Sequence, residues 1–179
     1  MKAFAVALLV VVSACGQGHA IFNIDVLSFM QGTGKDTIPY FIPPGPGSAS
    51  ASTVQSITLP PGFGSSVVDS VRITIGSANL VNTGGSGTMG FQLFFAADSA
   101  GTYAAPVALN VPNTAVNGVQ TVAVSISGDL SGLVDSLFRQ DSVFMRVATT
   151  GTNNGLTNVT GTSILTALVI RVVLQDKIF

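Results

Sequence analysis

The sequence has very few of the side chains on which most catalysis and metal binding depend. Among its 179 residues there are one Cys, one His and no Trp, and all eight acidic residues are Asp. A disulfide scaffold, a zinc finger and a His-based hydrolase are therefore excluded. Charged residues make up only 8% of the chain, against about a quarter in an average globular protein. The net charge of -1 leaves no basic surface for nucleic acid.

The polar residues that remain form no catalytic motif. His19 lies four residues after Cys15, in a region expected to be a tether or part of a removed segment. The sequence contains no Gly-x-Ser-x-Gly, Ser-x-x-Lys or His-Glu-x-x-His motif. No pair of Asp residues is marked as the two facing carboxylates of a glycosidase. We therefore expect a non-enzymatic protein that uses no cofactor.

The N-terminus has the pattern of an export signal. Lys2 is followed by ten apolar residues, Ala3 to Val12. A helix of that length spans about half of the ~30 Å hydrocarbon core, so the run suits the central region of a secretory signal better than a transmembrane helix. Residues 12–15 (VSAC) resemble the lipobox of bacterial lipoproteins, in which a Cys after small residues becomes the lipidated first residue.

The lipobox resemblance implies a signal peptide over residues 1–14, lipidation at Cys15 and a tether over residues 15–21. The membrane would then be a partner through the lipid, with the protein at the outer membrane or cell surface. A second interpretation is cleavage after Ala20 by an ordinary signal peptidase, which would release a secreted protein. Both interpretations predict export.

Residues 22–179 have the pattern of a single all-β domain. Short runs rich in Val, Ile, Thr and Phe alternate with Gly, Ser, Asn and Pro clusters, one of them the predicted connector PPGPGSASAS at 43–52. This pattern is typical of an antiparallel β-sandwich, jelly-roll or Ig-like, with about eight strands. Val71, Ile73 and Ile75, for example, share one face of a strand. We expect strands at 22–30, 37–42, 53–59, 67–76, 88–96, 119–127, 142–149 and 163–175.

The last predicted strand, 163–175, is apolar on both faces. Such a strand must be central and covered on both sides, or must bury one face in another molecule. Residues 129–139 offer a cover, because Leu130, Leu133, Val134 and Leu137 recur at helical spacing behind Asp129, a good N-cap. We therefore expect one short amphipathic helix near 129–139, and strand 163–175 is the candidate surface for a homo-oligomer.

Candidate binding residues come from aromatic and acidic side chains near loops. Tyr40, Phe63 and Tyr103 are the stacking residues that a glycan or another ligand would use, although such residues also close the ends of cores. Asp36 and Asp98 are the candidate ligands for a Ca²⁺ ion. Their alternative role is to cap their own backbone in Asx-turns.

Three functions fit these observations. The first is a surface-anchored β-sandwich with a structural, adhesive or self-assembling role, because a surface with so little charge repels copies of itself weakly. The second is an extracellular ligand- or glycan-binding module, which requires the aromatic loops to meet at one end of the sandwich. The third is a small outer-membrane β-barrel, but the short predicted strands and the absence of Trp argue against it.

Overall fold

The computed structural model describes residues 19–45, 47–59 and 67–175 and arranges them in two antiparallel sheets. The predicted β-sandwich is confirmed, because alternating apolar residues of both sheets form one buried core. The predicted signal peptide, Cys15 and Phe63 lie outside the described residues.

The described residues form ten strands. They are β1 (His19–Asp25), β2 (Thr37–Ile42), β3 (Ser48–Thr58), β4 (Val67–Gly84), β5 (Ser86–Ala96), β6 (Leu109–Asn117), β7 (Gln120–Ser125), β8 (Gly128–Asp129), β9 (Ser142–Asn153) and β10 (Val159–Gln175). The helical segments are α1 (Val26–Met30), α2 (Gly101–Ala104) and a 3-10 helix (Leu137–Arg139). No helix formed by the described residues is long and apolar enough to cross a membrane.

The two sheets differ in the order of their strands. Sheet I has the order β1-β10-β4-β7, with β2 pairing the first part of β10 and β8 pairing β4. Sheet II has the order β3-β9-β5-β6. Strand β10 is therefore central, with β1 and β2 on one side and β4 on the other. Its inward residues Leu168, Ile170 and Val172 are fully buried.

The predicted helix at 129–139 is wrong. This segment forms the short strand β8, then turns, and becomes helical only as a 3-10 turn at its end. Gly132 has a φ of +79°, which interrupts a right-handed helix. The Ser131 hydroxyl accepts a hydrogen bond from the Val71 N–H at 3.0 Å, and Asp129 accepts one from the Ser131 N–H at 3.0 Å. These bonds tie the segment to β4 and compete with helical hydrogen bonds.

The same segment does not cover the outer face of β10. Its residues Leu130, Val134 and Phe138 are buried in the core between the sheets, whereas Leu133 is exposed. The contribution of this segment is therefore to fill the interior of the sandwich.

Other strand boundaries differ from the prediction for local reasons. The expected strand 22–30 ends at Asp25, whose carboxylate caps α1 by accepting from the Ser28 N–H. Strand β1 begins at His19, so residues 19–21 of the expected tether pair with β10. Strand β6 was not predicted, because Pro112 and three Asn residues interrupt the alternation of apolar and polar residues.

Candidate functional site

Tyr40 lies inside the sandwich and does not present its ring to a ligand. Its hydroxyl donates a hydrogen bond to Asn82 Oδ1 at 3.1 Å. The Asn82 amide nitrogen in turn donates toward the carbonyl oxygens of Gly84, Gly85 and Gly118. Burial raises the pKa of Tyr40 to about 12. This polar group therefore connects β2, β4 and the turn between β6 and β7.

Tyr103 lies on the opposite sheet and is exposed. It belongs to α2, which runs over the outer face of sheet II, and its ring is 63% exposed. Asp98 Oδ1 accepts from the Gly101 N–H at 2.7 Å, and the Thr102 hydroxyl donates to the Ser99 carbonyl at 2.7 Å. Asp98 thus caps its own backbone, the alternative role considered for it.

The exposed ring of Tyr103 covers an arginine that sequence reasoning missed. The guanidinium carbon of Arg146 lies 3.7 Å from the Phe94 ring centroid and 4.8 Å from that of Tyr103. Arg146 Nε donates to the Thr102 carbonyl at 3.1 Å, which fixes the plane of the group. Within the described residues, no carboxylate lies within 4.0 Å of this guanidinium. The stack is an oriented cation of the kind that binds carboxylates in pairs of hydrogen bonds.

The other predicted binding residues do not join this cluster. Tyr40 belongs to sheet I, whereas Tyr103 belongs to α2 on the outer face of sheet II, and Phe63 is not described. Asp36 precedes β2, where its backbone carbonyl accepts from the Leu165 N–H at 2.8 Å. The described part of the chain brings no three His, Cys or acidic residues together in a group that could hold a metal ion.

The outer face of sheet I around β10 carries two apolar pairs. Ile21 of β1 lies opposite Val173 of β10, and Val169 of β10 lies opposite Ile75 of β4. Ile21 and Ile75 are each 58% exposed, and the two valines are half-buried. The predicted common face of Val71, Ile73 and Ile75 is wrong for Ile75, because a register shift between Ile73 and Ile75 turns its side chain outward. This outer face, defined by these four residues, includes Val169 and Val173 of the second apolar face predicted for strand 163–175.

A charged row runs between the two apolar pairs. Arg171 of β10 lies directly opposite Arg72 of β4. Arg171 Nε donates to Asn23 Oδ1 at 3.3 Å, and Arg72 forms an ion pair with Asp129 at 3.2 Å. Hydrogen bonds from Ser131, with a smaller contribution from Arg72, lower the pKa of Asp129 below its usual 3.8. The like charges of the two facing arginines are unfavourable unless further carboxylates approach them.

Comparisons with known proteins find similarity only among solved structures. No family model and no curated protein sequence matches it. A structure of the infectious bursal disease virus Gx strain is similar over 90% of this chain and 38% of that chain, with 6% identity and a TM-score of 0.46. A T13 viral particle of the same virus is similar over 88% of this chain, with 8% identity and a TM-score of 0.40. The chain spans 38% of the length of each of these viral chains.

Proposed function

We propose that this chain is a non-enzymatic structural protein that associates with further copies of itself through the outer face of sheet I. The observation that supports this is the exposure of Ile21 and Ile75 beside a central strand. A strand with two apolar faces gains free energy when both faces leave water, at about 25 cal/mol per Å² of apolar area. In the described residues, no element covers this second face.

A second copy suits this face because the face carries both signs of charge. Arg72 and Arg171 lie between the apolar pairs, while Asp25 and Asp129 lie beside them. A twofold axis parallel to the face, lying in the plane of the interface, would turn the face of one copy onto that of the other and can bring carboxylates of one copy toward arginines of the other. The apolar pairs would meet at the same time, which makes the surface self-complementary.

The proposal is tested by measuring the mass of the full chain in solution by light scattering, together with negative-stain microscopy. Ile75→Lys places a charge in the apolar face and should abolish association through this face, which lowers the mass of the assembly. The matched control is Leu156→Lys, because Leu156 is 96% exposed in the loop between β9 and β10. A wild-type protein that stays monomeric at about 0.1 mM would refute the proposal. An Ile75→Lys variant that assembles normally would refute this choice of surface.

We further propose that the protein is exported and held at the outer membrane or cell surface by a lipid on Cys15, with secretion as the alternative. The support is the start of β1, because His19 and Ala20 pair with Gln175 and Leu174. Cleavage after Ala20 would remove these two paired residues, whereas cleavage before Cys15 would leave β1 complete. Mass spectrometry of the mature N-terminus tests this: a lipidated Cys15 is expected, and an N-terminus at Ile21 would refute the anchor.

A second candidate function is the binding of acidic glycans at Tyr103 and Arg146. The guanidinium is oriented by Phe94 and by the Thr102 carbonyl, and the exposed tyrosine ring can stack on a sugar. We expect glucuronate oligosaccharides to shift the NMR signals of this region and neutral glucose oligosaccharides to have no effect. Tyr103→Phe should keep binding and Arg146→Gln should abolish it. Equal responses to the acidic and the neutral sugars would refute this function.

A further inference from the structure

Strand β3 is a sheet edge that carries none of the charge, Pro or bulge that commonly protects an edge from pairing. Its sequence, SASASTVQSIT, contains no charged residue and no Pro over 11 residues. Natural edge strands are commonly blunted by charge, by Pro, by bulges or by short length. Within the described residues the other edges follow this rule: β1 contains Asp25, β2 contains Pro39, β6 contains Pro112 and a bulge, and β7 has only 6 residues.

The register of β3 shows which backbone groups face outward. The Leu59 N–H donates to the Asp141 carbonyl at 2.9 Å, and the same register continues without a shift to Ser48 opposite Thr152. Because antiparallel bonding alternates along a strand, odd-numbered residues of β3 direct their N–H and C=O groups to β9. Even-numbered residues direct theirs away from the sheet. Among these outward groups, the Ser56 carbonyl accepts from the Gln55 side chain at 2.8 Å.

We propose that β3 pairs antiparallel with β3 of a second copy across a twofold axis. The inference rests on the proposed self-association and assigns it a second surface. With the two strands in full overlap, Ser48 meets Thr58 of the second copy, Ser50 meets Ser56, and Ser52 meets Val54. Every outward-facing residue then meets another outward-facing residue, so the donors and acceptors of both edges match.

The side chains of β3 favour a second copy over a charged or bulky partner. An uncharged edge meets an uncharged edge, so no like charges oppose each other. The inward-facing residues Ala49 and Ala51 are small, and a cavity of about 60 Å³ lies beside them, between β2 and β3. Pairing would join the two four-stranded sheets into one of eight strands, with β3 no longer an edge.

A proline at an outward-facing position tests the pairing without breaking the native ladder. The Ser52 N–H is not used by β9, so Ser52→Pro removes one outward donor and should leave the monomer folded. In the Ile75→Lys background, where association through the outer face of sheet I is blocked, we expect Ser52→Pro to raise the dissociation constant of the β3 dimer, measured by sedimentation equilibrium, about tenfold or more. Ser52→Thr is the matched control and should change it little. Circular dichroism of each variant shows whether its fold is retained.

A cysteine on the twofold axis tests the register independently. Thr53 would lie opposite Thr53 of the second copy in a non-hydrogen-bonded pair, with Cα atoms about 4.5 Å apart, which a disulfide can bridge. In a Cys15→Ser background, Thr53→Cys should give a disulfide-linked dimer under mild oxidation. Thr58→Cys, whose partner would be Ser48, should remain a free thiol.

These experiments separate the two proposals. A wild-type protein without any assembly would overturn both. The pairing of β3 alone would be overturned by three results together. Ile75→Lys dissociates the assembly, Ser52→Pro does not weaken it, and Thr53→Cys forms no disulfide-linked dimer. If only the β3 variants change the assembly, the pairing of β3 is supported and the choice of the outer face of sheet I is overturned.

Discussion

Replacing Asn82 with Ala should destabilise the sandwich by about 4–6 kcal/mol. Asn82 is 1% exposed, and its amide connects β2, the end of β4 and the turn between β6 and β7. Its oxygen accepts from the Tyr40 hydroxyl, and its nitrogen donates toward the carbonyls of Gly84, Gly85 and Gly118. The amide has only two N–H groups, so it satisfies two of these three carbonyls fully at any moment.

The magnitude follows from the bonds removed and the groups left behind. A hydrogen bond contributes about 1 kcal/mol net, and a buried polar group left without a partner costs about 1–3 kcal/mol. Asn82→Ala removes three hydrogen bonds and leaves the buried Tyr40 hydroxyl without a partner. Tyr40→Phe removes one of the same bonds and should cost about 0.5–1.5 kcal/mol. The double variant should cost less than the sum of the single variants, by about 0.5–1.5 kcal/mol, because the shared bond is lost only once.

Urea unfolding of the wild type, both single variants and the double variant, followed by circular dichroism, measures these free energies. Asn154→Ala is the control, because Asn154 is exposed, and should lie within about 0.5 kcal/mol of the wild type. An Asn82→Ala variant as stable as that control would refute the structural role assigned to the amide. Strictly additive effects of the two substitutions would show that the Tyr40–Asn82 bond contributes nothing.

Three further predictions concern pH and the core. Because burial raises the pKa of Tyr40 to about 12, from 10.0, the unfolded state loses this proton first, so stability should fall as pH rises above 10. Tyr40→Phe should flatten that slope in urea titrations. Asp129 has a lowered pKa, so its contribution to stability is present above pH 3.8 and is lost as the pH falls through the pKa of the folded state. Asp129→Asn should therefore flatten the fall of stability at acid pH. Phe138→Ala should cost about 3–5 kcal/mol and Leu133→Ala about 0.5 kcal/mol or less in urea unfolding, since only Phe138 is buried.

The strands were predictable from sequence where the pattern is local. Val71 and Ile73 alternate with polar residues, and the alternation alone predicts β4. The helix prediction for residues 129–139 was wrong because the hydrogen bonds between Ser131 and β4 join residues that are distant in sequence. The SASAS run was predicted as a flexible connector, yet it forms half of β3, because pairing with β9 overrides the weak strand preference of Ser and Ala.

The candidate sites were predictable only in part, for the same reason. The exposed aromatic Tyr103 was a candidate, and the apolar second face of strand 163–175 was recognised from its sequence. Arg146 has no local signal, because its role depends on the register that places Phe94 opposite it. The open edge of β3 likewise depends on which strand ends the sheet, a property of topology that periodicity does not encode.

The position of β10 has a consequence for how the protein folds. The last described strand in the chain pairs with β1, β2 and β4, so sheet I cannot form until residues 159–175 have been synthesised. Contacts between such distant segments require large loops to close, and all-β domains of this kind fold in milliseconds to seconds. During that interval β1, β2 and β4 lack their shared partner. We therefore expect a chain truncated before β10 to expose strand edges and aggregate instead of forming a smaller sandwich.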